Sequence, residues 1–171
     1  ELGDNTEVVS VEPYGSGHIN DTFRLEVKED GQEKLYILQR MNKDIFKNQK
    51  ELMENILQVT SFLTDKIKAQ GGDPNRETLQ VIPTKEGKSY LIEANGDGWR
   101  VYPFITDSLS FDKADTPEAM KKSGYAFGNF QYLLSDFPAE KLHETIPDFH
   151  NTVDRYAKFE QAVQEDVMGR A

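Results

Sequence analysis

Two glycines one residue apart, Gly15-Ser16-Gly17, lie between stretches rich in strand-forming residues. Glycine has no Cβ, so a loop of this kind lets the backbone approach a phosphate and turn its N–H groups toward it. A full G-x-G-x-x-G would need glycine at position 20, where Asn20 stands. The dinucleotide-binding and P-loop versions also need a helix after the loop, whereas the residues after Gly17 read as a strand. The remaining pattern is strand, glycine loop, strand. It suits a cover over nucleotide phosphates or, more plainly, an ordinary hairpin turn. His18 and Asn20, just past the loop, could bond a phosphate or a sugar hydroxyl, or sit as polar residues on a solvated strand start.

Further candidates follow along the chain. Leu38-Gln39-Arg40 ends an apolar run, at the place where protein kinases carry a phosphate-gripping lysine. Gln39 can hydrogen-bond there but has no charge, and Arg40 is expected on the opposite face of the strand. Glu51 and Glu54 could orient such a group, or simply form the wet side of a helix. The backbone of Val101 to Ile105 could pair with an adenine edge, or be a buried last strand. His143 and His150, with Glu144 and Asp148 nearby, lack the convergence of a metal site. No G-x-S-x-G or H-E-x-x-H occurs.

The elements that must position these residues are legible from periodicity. Val8, Val9 and Val11 read as one strand. Phe23, Leu25 and Val27 alternate with polar residues as a half-buried strand does. After the turn Glu29-Asp30-Gly31-Gln32 comes Leu35-Tyr36-Ile37-Leu38. The period then changes. Leu52, Ile56, Val59, Leu63 and Ile67 recur at helical spacing over about six turns and should bury against a sheet, with Gly71-Gly72-Asp73-Pro74 as the stop. Strand signals return at Leu79, Val81 and Ile82, then at Tyr90-Leu91-Ile92 and Trp99-Arg100-Val101-Tyr102 around the hairpin signal Asn95-Gly96-Asp97-Gly98. Thr116-Pro117-Glu118 marks a helix start. Met120, Phe127, Phe130 and Leu134 lie roughly on one face of that helix, and Tyr156, Phe159 and Val163 on another helix. The expected class is α+β: an antiparallel sheet of about five to six strands with one long helix, then helices alone.

Composition narrows the function. The 171 residues carry 20 Lys and Arg against 30 Asp and Glu, a formal charge of -10, so nucleic acid is a poor partner. The absence of Cys excludes disulfides, zinc-thiolate sites and thiol nucleophiles. No apolar run is long enough to span a bilayer, so no membrane partner is expected.

Read in order, several segments resemble N-acetylhexosamine 1-kinases of the aminoglycoside phosphotransferase and choline kinase superfamily. They are Tyr14-Gly15-Ser16-Gly17-His18-Ile19-Asn20, Tyr36-Ile37-Leu38-Gln39-Arg40-Met41-Asn42, Leu52-Met53-Glu54-Asn55, Trp99-Arg100-Val101-Tyr102 and Gly128-Asn129-Phe130-Gln131. Glu144 to Thr152 and Gly169-Arg170-Ala171 add to them. The resemblance runs from about Val8 to Ala171. It implies a protein-kinase-like fold, ATP and Mg²⁺ as cofactors, and phosphoryl transfer to the anomeric hydroxyl of an N-acetylhexosamine. A cytoplasmic location is expected with it.

By position, Gly15, Ser16 and Gly17 would cover the phosphates. His18 and Asn20 would face nucleotide or sugar. Tyr102, Phe104 and Ile105 would form the adenine-binding linker. Gln39 stands where the superfamily usually has lysine, a departure that removes the usual ion pair with a helix glutamate. A His-x-Asp catalytic loop with its following Asn, and a later metal-binding Asp, are not among these residues. The expectation is therefore a nucleotide-binding lobe over residues 1–107 and the start of a helical catalytic lobe over 108–171. The catalytic residues would lie beyond Ala171, and the uncovered helices would be prone to self-association. The alternatives are a kinase for another small alcohol, or a degenerate module that binds a nucleotide or partner without turnover.

Overall fold

Alternation in Phe23-Arg24-Leu25-Glu26-Val27 sends every second side chain to one face, and in the computed structural model Leu25 and Val27 are buried there. The structure describes residues 5–111 and 113–170. Asp112 in the expected connecting segment and Ala171 in the last resembling segment lie outside the described residues.

Strands β1 (Thr6–Pro13), β2 (Asp21–Glu29) and β3 (Gln32–Met41) form consecutive antiparallel hairpins. The β2–β3 turn uses Asp30 and Gly31, both at positive φ (49° and 81°). That conformation suits Asp and Gly at a two-residue hairpin. β1 lies at the sheet edge, with a register irregularity between Val8 and Ser10, and its valines are exposed.

Helix α1 (Gln49–Ala69) follows, capped by the Asn48 side chain accepting from the Glu51 N–H at 3.2 Å. Its end is a glycine stop. Gly71 adopts φ 77°, the Gly72 N–H reaches the Ile67 carbonyl at 3.0 Å, and the Gly71 N–H reaches Lys68 at 3.0 Å. A four-residue helix, α2 (Pro74–Glu77), begins directly after, capped by Asp73.

The segment Leu79–Ile82, expected as a strand, makes only a bridge between Ile82 and Val101. The Ile82 N–H donates to the Val101 carbonyl at 2.9 Å. Pro83 then has no N–H to extend the ladder, and a turn at Thr84 to Lys88 takes the chain away. β4 (Leu91–Ile92) and β5 (Gly98–Pro103) form the expected hairpin, its turn held by the Asn95 side chain accepting from the Asp97 N–H at 2.8 Å. The sheet order is β1-β2-β3-β5-β4.

Helix α3 (Pro117–Leu133) starts as its sequence requires, with the Thr116 hydroxyl accepting from the Ala119 N–H at 3.1 Å. A short 3₁₀ turn (Ala139–Lys141) and helix α4 (Thr152–Glu165) complete the described chain. The fold is α+β: a five-stranded antiparallel sheet with four α-helices among the described residues. Among these residues no helix is long and apolar enough to cross a membrane.

The burial of α1 differs from expectation. Its C-terminal stripe packs on α3, where Leu63, Ile67 and Leu133 form a buried cluster flanked by Val59 and Leu134. Toward the N-terminus the buried apolar residue is Met53, one position past Leu52. The helix therefore divides its apolar surface, giving its first turns to the strands and its last turns to α3. Lys66 fastens that second contact by donating to the Leu133 carbonyl at 2.8 Å and pairing with Asp136.

Leu63→Ala removes a side chain at the centre of this cluster. It should cost roughly 2–5 kcal/mol in denaturant unfolding. A loss below about 0.5 kcal/mol, the range of surface substitutions, would show that the α1–α3 contact does not hold the fold.

Candidate functional site

The antiparallel registers place Thr22 opposite Gln39, and Gln39 opposite Arg100. Directly opposed residues share a face, so these three form a row across β2, β3 and β5. They are also bonded to one another. Gln39 Nε2 donates to Thr22 Oγ1 at 2.9 Å, and Gln39 Oε1 accepts from Arg100 Nε at 3.0 Å and Nη2 at 2.6 Å. The next row contains Ile37 and Tyr102. Helix α1 bounds the same face. Arg100 Nη1 lies 3.7 Å from Met53 Sδ, and Gln49 Nε2 donates to the Gly96 carbonyl at 3.3 Å. Gly98 fits beneath Gln49 because a Cβ there would collide with the Gln49 side chain and come within 2.8 Å of Met41 Cε.

The electrostatics of this row are unusual. Burial pushes the Arg100 guanidinium below its ordinary pKa, although arginine remains charged. Among the described residues no carboxylate lies within ion-pair distance of it. Its neighbours are an amide oxygen, a thioether and the Tyr102 ring, whose centroid is 5.2 Å from the guanidinium carbon. Burial also pushes the Tyr102 phenol up to about 12, with the Arg100 charge opposing the shift.

Neither helix carboxylate considered from the sequence reaches the row. Glu54 pairs with His143 Nε2 at 2.8 Å. Glu51 sits in the first turn, where its N–H satisfies the cap. Asn55 adds two bonds to the His143 backbone, at 2.8 and 2.9 Å, so this part of α1 is tied to the segment after the 3₁₀ turn. Arg40 faces away from Gln39, as strand alternation requires, pairing with Asp21 and with Asp97 at 3.3 Å. Lys43 joins that cluster at 2.8 Å, and its bond is the chief cause holding the Asp97 carboxyl below its usual range.

The glycine loop occupies residues between β1 and β2. Gly15 has φ 84°, which demands glycine, whereas Gly17 lies outside the left-handed region. A Cβ at Gly17 would meet nothing within 4 Å, so among the described residues no packing calls for glycine there. Two contacts position the loop. The Tyr14 N–H donates to the Thr22 carbonyl at 2.9 Å, and Asn20 Oδ1 accepts from the Asn42 N–H at 2.9 Å. Asn20 is thus engaged in tying the loop to the end of β3.

The segment after β5 meets the loop through aromatic rings: Tyr14 and Phe104 stack edge to face at 5.3 Å. The Phe104 N–H donates to the Leu35 carbonyl at 3.0 Å, and the Ile105 carbonyl accepts from Ser108 Oγ at 2.9 Å. The Ile105 N–H has no partner among the described residues.

The structure brings Tyr14, at the loop, together with Phe104, and Gln39 together with Arg100. His18 lies apart, exposed, in a polar hollow of about 360 Å³ lined also by Asp21, Arg40, Lys43 and Asp97. Phe104 lines a separate groove of about 590 Å³ with Arg24, Glu26 and Pro103. Gly15, Ser16 and Gly17 are exposed and line neither cavity. Arg100 was missed as a site residue by sequence reasoning. Its signal was a cation two positions before Tyr102 in an otherwise apolar strand, hence on the Tyr102 face. A comparison of the sequence with protein-family models found no match.

The Tyr102 shift has a pH consequence. The unfolded phenol ionises near its ordinary 10.0 and the folded one at about 12. Its contribution to stability is therefore present below pH 10 and lost as pH rises from about 10 to about 12. Burial also raises the Tyr36 phenol, so tyrosinate absorbance of the native protein should show late titration of which Tyr102→Phe removes the latest part. Titration of Tyr102 together with the exposed tyrosines would contradict its burial.

Proposed function

We propose that this chain is the nucleotide-binding part of an ATP-dependent small-molecule kinase, with the anomeric hydroxyl of an N-acetylhexosamine as phosphoryl acceptor. In this reading residues 1–107 act as a kinase-like nucleotide-binding lobe and residues 108–171 begin a helical lobe. One observation carries it. The sheet carries a glycine-turned hairpin, whose Tyr14 meets Phe104 of a linker with an uncommitted N–H at Ile105, and, beside α1, a bonded row of polar groups, Thr22, Gln39 and Arg100. Gly17 adds support, because a ligand approaching the backbone explains a glycine that packing and φ do not require.

The residues present fit ATP. Adenine would pair with the backbone at Ile105. The loop N–H groups of Gly15 to Gly17 would lie over the phosphates, with Tyr102 on the face that carries Gln39 and Arg100. ATP supplies the transferable phosphoryl group; these residues bind and orient it. Among the described residues no group of three or more His, Asp or Glu converges, so Mg²⁺ would be held chiefly by the phosphates it accompanies. The His-x-Asp motif that would carry the acceptor-activating carboxylate does not occur in these residues.

The exposed aromatic faces of α3 and α4, including Tyr125 at 76% exposure and Phe159 at 62%, suit a helical layer that further structure or a second copy would cover. A second reading, a nucleotide-binding module without turnover, draws on Gln39, which leaves the third strand without the usual lysine.

Hydrogen exchange of the full-length protein separates the outcomes. MgATP should slow exchange at residues 15–20 and 102–105. Unchanged exchange at both segments would reject the nucleotide reading. Slowed exchange without phosphoryl transfer to any N-acetylhexosamine would favour the second reading.

A further inference from the structure

We infer that Arg100 is the residue that grips the phosphate chain of the bound nucleotide, supplying from β5 the positive charge that Gln39 cannot supply from β3. The inference rests on the nucleotide reading above and names a cation for that site. Three observations carry it.

The first is the missing counter-ion. Arg100 is partly buried, and burial disfavours its charge. A guanidinium taken from water without a carboxylate is costly to keep, unless an anion joins it in the working state. Among the described residues nothing negative does so.

The second is unused donor capacity. A guanidinium has five N–H donors. Nε and Nη2 each give one to Gln39 Oε1, and Nη1 gives one, weakly, to Met53 Sδ. One N–H on each terminal nitrogen is left over. Two free donors on one planar cation can bond phosphate oxygens directionally, where lysine acts as a point charge.

The third is preorganisation. Gln39 is itself held by Thr22, and the Tyr102 ring lies beside the guanidinium. Gln39 therefore aims the cation rather than carrying charge itself. Its amide oxygen accepts from Arg100 and would have no such role if lysine stood at position 39. The side-chain exchange is coherent: amide on β3, guanidinium directly opposite on β5.

The test compares a ligand with phosphates to one without. Calorimetry on the full-length protein would titrate MgATP and adenosine into wild type, Arg100→Gln and Arg100→Lys. A charge-assisted pair lost from the phosphates predicts a roughly 10- to 100-fold weaker MgATP affinity for Arg100→Gln. Adenosine affinity should stay within about twofold. Arg100→Lys keeps the charge but loses the fork, so its MgATP loss should be smaller, with adenosine again unchanged. It carries the same split if Arg100→Gln does not fold. Equal losses for both ligands, or no loss for MgATP, would overturn the inference while leaving the nucleotide reading in place. A wild-type protein that binds neither ligand would remove the nucleotide reading and this inference with it.

Discussion

The pairing of Gln39 with Arg100 across the two central strands is the contact on which the site depends. It follows from register alone. One residue of slip between β3 and β5 would send Arg100 to the opposite face and leave Gln39 facing an apolar neighbour. The Asp30-Gly31 turn sets the β2–β3 register and the Asn95-Gly96 turn sets that of β4–β5, while β3 and β5 meet through the ladder from Tyr36–Pro103 to Met41–Gly98. The result, among the described residues, is a cation solvated by protein dipoles rather than balanced by a carboxylate. An amide oxygen bonded through two guanidinium nitrogens offers orientation with little neutralisation, so the positive potential remains available to an anion.

Around that pair the other elements have defined tasks. β2 supplies Thr22 and anchors the glycine loop through its carbonyl, so loop position is coupled to the same row. Tyr14 links the loop to the segment after β5 through Phe104. α1 brings Met53 against Arg100 and turns Glu54 outward to His143, which keeps a helix carboxylate from neutralising the guanidinium. The far end of α1 belongs to α3. One helix therefore joins the sheet to the helical segment.

Much of this was legible in the residue order. Period-2 alternation located β2 and β3, helical spacing located α1, and Gly71-Gly72, Thr116-Pro117 and Asn95-Gly96 marked boundaries by backbone chemistry. The opposite facing of Gln39 and Arg40 followed from strand geometry. What was not legible depended on contacts between distant segments. Leu79–Ile82 has strand-like composition, but Pro83 and the next turn reduce it to one bridge. The division of the α1 stripe between Met53 and Leu63 reflects two partners, whereas periodicity shows only one stripe. Arg100 was hidden because its importance comes from facing Gln39, 61 positions away in sequence.

The most direct measurement follows the Arg100 guanidinium itself. In the full-length protein with isotope-labelled arginine, the Arg100 Nε–H resonance would be recorded while a non-hydrolysable MgATP analogue, and separately adenosine, is added. A large shift with the triphosphate and little with the nucleoside is expected from a cation held ready for phosphate. An unmoved Arg100 resonance at saturating triphosphate would contradict it.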